Sequence, residues 1–270
     1  MCGRYSLTTP VEGLRELFDF PERPNLQPRY NIAPTQEVAA VRAAVSESAA
    51  GDEGGGTEGS RAGAARLGRQ LALLRWGLIP SWAKDPAIGA RLINARAETL
   101  AEKPAFRAAF KARRCLVPAD GFYEWQKREP GPKQPFHIAR RDGAPFAFAG
   151  LWERWRGPRG GGAEAGGGGE VESCTIVTRD ATAALRAIHH RMPVILSRES
   201  YDLWLDPATP AARLAALLAA EPALELTATA ISTRVNKVAN DDPEVLRPLA
   251  GDGGAAGEFG EAGDGQAKLL

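Results

Sequence analysis

Cys2 is the residue of this chain best suited to chemistry, by its position more than by its type. Loss of Met1, which small second residues permit, would set a free α-amine beside the Cys2 thiol. Such an amine ordinarily titrates near about 7.7–8.0, so a useful fraction is neutral at cellular pH. A free N-terminal residue can then act as nucleophile and base together. The 1,2-aminothiol also has a particular affinity for aldehydes: the amine forms an imine, and the thiol closes it to a five-membered thiazolidine. Taken alone, Cys2 is more simply the second residue of a frayed terminus. Cys115 and Cys174 stand in apolar strand contexts, Arg-Cys-Leu-Val and Ser-Cys-Thr-Ile-Val, and read as buried, inert thiols. None of the three histidines is spaced from a cysteine as zinc ligands are, so neither a metal nor another cofactor is expected.

The residues beyond Cys2 change its reading. Gly3-Arg4-Tyr5 comes at once, then Arg29-Tyr30-Asn31-Ile32-Ala33-Pro34-Thr35 and Arg75-Trp76-Gly77-Leu78-Ile79-Pro80-Ser81-Trp82. Next are Ile93-Asn94-Ala95-Arg96-Ala97-Glu98-Thr99, Pro118-Ala119-Asp120-Gly121-Phe122-Tyr123-Glu124-Trp125 and His189-His190-Arg191-Met192-Pro193. Val235-Asn236 and Asn240-Asp241-Asp242-Pro243 close the series. In order, spacing and identity the series resembles the SRAP (SOS response-associated peptidase) family, over essentially the whole chain except three glycine-rich stretches. The resemblance implies recognition of abasic sites in single-stranded DNA and a covalent thiazolidine crosslink through Cys2, shielding the lesion during replication. It also implies an autopeptidase role, chiefly removal of Met1, and lyase-like imine chemistry.

Several residues suit those tasks. Glu124 fits an acid/base role in opening the closed abasic sugar to its aldehyde, since burial would raise its pKa toward neutrality. It stands between Tyr123 and Trp125, so either face of a strand is open to it. Asn94 offers an uncharged amide that could orient the amine or a sugar oxygen, and it equally suits a helix N-cap. By alignment to the family motif, His189 is the catalytic histidine and His190 its variable neighbour. Arg4, Arg96 and Arg191 lie next to these positions, and guanidinium forks bind phosphate in two-point fashion. Trp82 and Trp125 could stack on the bases beside the gap, and Pro34-Thr35 could wedge between bases. Each has a plainer role as well: solvated arginine, core tryptophan, ordinary turn. His137 reads as a strand histidine without a catalytic role.

Two other functions compete. One is an N-terminal-nucleophile cysteine amidohydrolase or peptidase acting on small amides or peptides. The other is a DNA-binding module with dispensable chemistry, which would bind intact single strands in a salt-dependent way and ignore an abasic site. An acid beside the N-terminus favours covalent chemistry over binding alone.

The elements that must position these residues read as α+β: one domain over 1–250, with an antiparallel, barrel-like β core and peripheral helices. Helices are expected at Val11–Phe18 after Thr8-Thr9-Pro10, at Glu98–Lys111 despite Pro104, at Ala181–Ile188, Glu199–Leu205 and Ala211–Ala219. Strands are expected at Val38–Val41, Leu71–Trp76, Arg114–Val117, Phe122–Lys127, Phe136–Arg140, Phe146–Trp155, Cys174–Thr178, Met192–Leu196 and Leu224–Ile231. Asp142-Gly143 between two apolar runs predicts a hairpin. Of the 30 glycines, 20 lie in 51–60, 157–170 and 251–266, so flexible insertions are expected near 45–68 and 157–171, and a disordered tail over 251–270.

The chain has 270 residues and a formal net charge of +1, but residues 71–160 carry 17 Lys/Arg against 8 Asp/Glu. A basic body with acidic appendages is compatible with a nucleic-acid partner, although a solvated, arginine-rich surface explains it as well. No apolar run of transmembrane length occurs, the N-terminal residues carry no apolar h-region, so no secretory leader is expected, and the odd cysteine count suits a reducing compartment. A monomeric cytoplasmic protein, nucleoid-associated when bound to DNA, is the expectation.

Overall fold

The computed structural model describes residues 2–44, 67–157, 169–222 and 224–249. The bulk of the two expected insertions and the whole tail over 251–270 lie outside the described residues. The described residues form thirteen strands and four α-helices, joined by turns and short 3₁₀ segments. The strands are β1 (Tyr5–Leu7), β2 (Arg29–Ile32), β3 (Glu37–Ala43), β4 (Arg69–Trp76), β5 (Asn94–Arg96), β6 (Arg114–Ala119) and β7 (Gly121–Gln126). They continue with β8 (Gln134–Arg140), β9 (Phe146–Arg156), β10 (Glu170–Asp180), β11 (Arg191–Pro193), β12 (Ile195–Leu196) and β13 (Leu226–Ala230). The helices are α1 (Val11–Phe18), α2 (Arg107–Ala112), α3 (Tyr201–Leu205) and α4 (Ala211–Ala219).

Five strands close on themselves. β4 pairs β3, β3 pairs β6, β6 pairs β9, β9 pairs β10, and β10 returns to β4. A second sheet, in the order β13-β8-β7-β1-β2, joins the same hydrophobic core. The α+β reading with a barrel core therefore holds, with one difference: the β4–β10 closure is parallel, as is β5 against β10. Long connections separate these partners in sequence, and a parallel pair needs such a crossover.

Alternation of polar and apolar residues is lost where both strand faces are covered. β6 is buried at all six positions, with the barrel on one side and α2 and α3 on the other. Arg114 lies in this layer because its guanidinium donates to the carbonyls of Phe110, Lys111, Trp204 and Asp206, which cap the ends of both helices. Leu74, Trp76, Leu116, Phe148 and Cys174 are fully buried in the same core.

Several local expectations change. Glu98–Lys111 is not one helix: a short turn at Ala97–Thr99 precedes α2, and Pro104 divides them by removing a donor and crowding the preceding turn. Ala181–Ile188 keeps only a single 3₁₀ turn, Leu185–Ala187. Glu199–Leu205 likewise divides into a 3₁₀ turn at Arg198–Ser200 and α3. Met192–Leu196 divides into β11 and β12, which pair with different strands. Pro10 occupies the cap position of α1, while the hydroxyls of Thr8 and Thr9 donate to Asp120 at 2.7 and 2.6 Å. Asp142-Gly143 does form a tight turn, with Gly143 at φ 70° and its N–H donating to the Arg140 carbonyl. It makes no hairpin: β8 pairs with β7 and β13, whereas β9 enters the barrel. The dipeptide specifies a reversal, and burial of the flanking runs decides which sheet each strand joins.

Gly121 marks a tight crossing in the second sheet. A Cβ there would lie 2.2 Å from His137 Nε2 and 2.9 Å from the Ile138 carbonyl oxygen. Gly121→Ala is therefore expected to destabilise the protein by about 1–3 kcal/mol. Urea unfolding measures this, and a midpoint equal to wild type would mean that the crossing relaxes without cost.

Candidate active site

The N-terminal segment reaches its place by adding to the second sheet. β1 pairs β7 with Tyr5 opposite Phe122, and the Tyr123 N–H donates to the Arg4 carbonyl at 3.0 Å, carrying the pairing on toward Cys2. Cys2 is fully buried, and burial together with the neighbouring Glu124 carboxylate pushes its thiol well above the usual range. It is a neutral thiol in this state.

Glu124 lies on β7, and its face is now defined. Phe122, two residues earlier, packs in the main core, whereas Tyr123 and Trp125 pack with Ile231, Val235 and Val245 on the other side. Glu124 is only 3% exposed, and burial raises its pKa to about 7. His189 Nδ1 lies 3.9 Å from Glu124 Oε2. His189 Nδ1 lies 3.0 Å from the Arg191 backbone nitrogen and 3.1 Å from the Arg191 carbonyl oxygen, so the backbone of Arg191 anchors the ring. Burial lowers the pKa of this ring.

Asn94 comes from a third element. β5 pairs with the C-terminal half of β10, and the Asn94 side-chain amide donates to the Cys2 carbonyl at 2.8 Å. It makes no helix cap; its Oδ1 is buried and has no hydrogen-bond partner among the described residues. Four residues distant in sequence thus converge: Cys2 from the terminus, Asn94 from β5, Glu124 from β7 and His189 from the turn before β11. This arrangement supplies a nucleophile, an amide to fix its backbone, and an acid with a pKa close to neutrality.

The remaining candidates sort differently. Arg4 is half-buried; it donates to Asn31 Oδ1 at 2.7 Å and to the carbonyls of Val235 and Asn236. Arg191 is buried and forks into Glu98 at 2.7 and 3.0 Å, with further bonds to Asp180 at 2.6 Å and the Thr178 carbonyl at 2.8 Å. It ties the turn after β5 to the end of β10. Arg191→Ala is expected to cost about 2 kcal/mol, because two carboxylates lose their shared cation. Arg191→Lys should recover only part of that, since an ammonium cannot fork; full recovery in thermal unfolding would reduce the site to a point charge.

Arg96 is exposed, and among the described residues it has no ion pair. It lines a cleft of about 600 Å³ together with Asn94, Trp82, Lys103 and Phe106. Trp82 is 58% exposed. Trp125 is half-buried and donates from Nε1 to Asn236 Oδ1 at 2.7 Å. Pro34 and Thr35 form the turn between β2 and β3, with exposed Thr35 at φ 71°. His137 is half-buried against Ser6, with Nε2 3.0 Å from the hydroxyl, and desolvation lowers its pKa to about 4. Cys115 and Cys174 are free and buried, and among the described residues no His/Cys/Asp/Glu group could hold a metal ion. Among those residues no helix is long and apolar enough to cross a membrane.

Sequence reasoning did not single out Asn31 and Asp241, which hold the segment after β13 in place. The Asn31 amide donates to the carbonyls of Val235, Lys237 and Asn240, and Asp241 accepts from the N–H groups of Tyr30 and Asn31. Their presence in two of the quoted motifs was the available signal.

Fold and site together define a β-barrel protein with a buried thiol next to its N-terminus and a near-neutral carboxylic acid beside it. Residues 1–238 match the SOS response associated peptidase (SRAP) family, and the chain belongs to that family. It is 38% identical over 250 residues to the abasic site processing protein YoqW of Bacillus subtilis, covering 91% of this chain and 99% of that one. The chicken abasic site processing protein HMCES is 37% identical over 204 residues, 67% of this chain and 58% of its own. A crystal structure from Bacteroides thetaiotaomicron shares the fold with TM-score 0.74 at 24% identity, covering 92% of this chain and all of that one. One from Bordetella bronchiseptica gives TM-score 0.64 at 28% identity over 86% of this chain and all of that one.

Proposed function

We propose that this protein processes abasic sites in single-stranded DNA by crosslinking to them through Cys2 once Met1 is removed. The observation that carries the reading is the pairing of Cys2 with a buried carboxyl titrating near 7. Abasic deoxyribose is mostly a closed hemiacetal, and the protonated Glu124 would assist its opening. The α-amine then adds to the aldehyde carbon, the carbinolamine loses water to give an imine, and the thiol sulfur adds to the imine carbon. One water leaves and nothing is oxidised or reduced. A neutral thiol suits this order, because the amine attacks first and the thiol proton passes to nitrogen on closure. Asn94 orients the Cys2 backbone, and His189 flanks the Glu124 carboxyl at 3.9 Å.

The finer roles belong to the same reading: Met1 removal with Cys2 as nucleophile and Glu124 as base, Arg96 and Trp82 guiding the strand, and a monomer as the acting form. The test is a denaturing gel with intact mass, using an oligonucleotide with one abasic site and an undamaged control. The expected product is a heat-stable adduct of protein plus oligonucleotide minus one water, from protein lacking Met1. No adduct from protein whose mass confirms Met1 loss would discard the reading and move the search to small amides and peptides.

Arg96→Ala is expected to weaken binding to damaged and intact strands alike and to reduce the salt slope by about 0.7. Binding titrations at several salt concentrations decide it; an unchanged slope would make Arg96 ordinary surface.

A further inference from the structure

A single strand leaves an abasic sugar in two directions, and each direction needs a partner for its phosphates. The cleft with Asn94 supplies one, through Arg96, Lys103 and Trp82. Arg4 and Arg191 are poorly placed to supply the other, since their donors are taken by carbonyls, an amide and carboxylates.

The β7–β8 connection is positioned to do so. β7 runs from Glu124 through Gln126, which pairs with Gln134 on β8, and the loop between holds Lys127, Arg128, Glu129 and Lys133, all exposed. Lys127 pairs with Glu129, while among the described residues Arg128 and Lys133 have no ion pair. The base of this hairpin is tied to the other rim of the site, because the Gln126 amide donates to the Ala187 carbonyl at 3.0 Å, two residues before His189. The positive charge of Lys133 is felt at both Glu124 and His189. The hairpin belongs to the second sheet, whereas the Arg96 cleft is built on β5 and the segment leading to α2.

We propose that the β7–β8 hairpin, through Lys133 and Arg128, binds the backbone phosphate on the flank of the lesion that the Arg96 cleft does not reach. This rests on the abasic-strand reading above. The hairpin is a positioning element: it holds the strand so that the sugar stays over Cys2, and it takes no part in bond formation. Its ligand is a phosphodiester, recognised by charge without regard to sequence.

The experiment measures non-covalent binding in the Cys2→Ala background, with Lys133→Gln alone and with Arg128→Gln added. Three single strands carry a non-reactive abasic analogue: central, at the 5′ end and at the 3′ end; an intact strand is the fourth. On the central site Lys133→Gln is expected to weaken binding about three- to tenfold, and the log–log salt slope should fall by about 0.7 for each phosphate no longer neutralised. The same loss should persist with one of the end-placed analogues and vanish with the other, because only one retains the flank that the hairpin holds. Lys133→Arg should restore binding, and thermal unfolding checks that each variant is folded. Unchanged slope and affinity would overturn the proposal, as would equal weakening of both end-placed strands, which marks diffuse charge. If wild-type protein forms no adduct, the function reading fails by itself; the intact-strand salt slope still tests the hairpin, and no change there overturns it.

Discussion

Cys2→Ala protein is expected to give no heat-stable adduct with an abasic single strand, a loss of at least about a thousandfold against wild type, while intact-strand binding stays within about twofold. The covalent product needs sulfur for ring closure, so deleting it leaves at most a reversible imine. Cys2→Ser separates the two covalent functions. A hydroxyl closes to a much poorer oxazolidine, so crosslinking should collapse nearly as far as in Cys2→Ala. An amidohydrolase could still turn over weakly with serine as nucleophile. Stable adducts from Cys2→Ala at wild-type yield would take the thiol out of the product. Amide hydrolysis surviving in Cys2→Ser, without crosslinking in wild type, would move the protein to the second class.

Glu124→Gln should slow crosslinking by about 10²–10³-fold and leave single-strand affinity nearly unchanged, because the amide keeps the shape but cannot transfer a proton. The pH dependence gives an independent reading. Wild-type rate requires a protonated Glu124, titrating near 7, and a free amine, ordinarily near about 7.7–8.0, so the profile is a bell. In Glu124→Gln the fall at high pH should disappear, leaving a single rise as the amine deprotonates. Stability carries the same signature. A carboxyl whose folded pKa is raised favours the folded state below its unfolded pKa and loses that contribution as pH rises through about 7. Wild type should therefore lose stability between about pH 4.5 and 7, by up to about 3 kcal/mol, and Glu124→Gln should flatten that stretch. Equal crosslinking rates in the two proteins would remove Glu124 from the mechanism, and parallel stability curves would place its titration elsewhere.

The sequence by itself determined which residue types are present and the local order around them. Cys2 at the second position, the apolar runs of β3, β4, β6 and β9, the amphipathic turns of α1 and α4, and the reversal at Asp142-Gly143 all come from patterns within a few residues. The tertiary structure decided what those patterns could not contain. The parallel closure of β4 on β10 joins residues about a hundred positions apart, and nothing in either strand encodes its partner. The face taken by Glu124 was open in the sequence because apolar aromatics flank it on both sides; two separate cores, one under Phe122 and one around Tyr123, settled it. Arg4, Arg96 and Arg191 look alike as letters. Only packing tells that Arg191 is enclosed by Glu98 and Asp180, that Arg4 is spent on Asn31 and the chain after β13, and that Arg96 has no ion pair among the described residues. A side chain's chemistry is fixed by its type, but its protonation and availability are fixed by what burial and neighbours do to its charge.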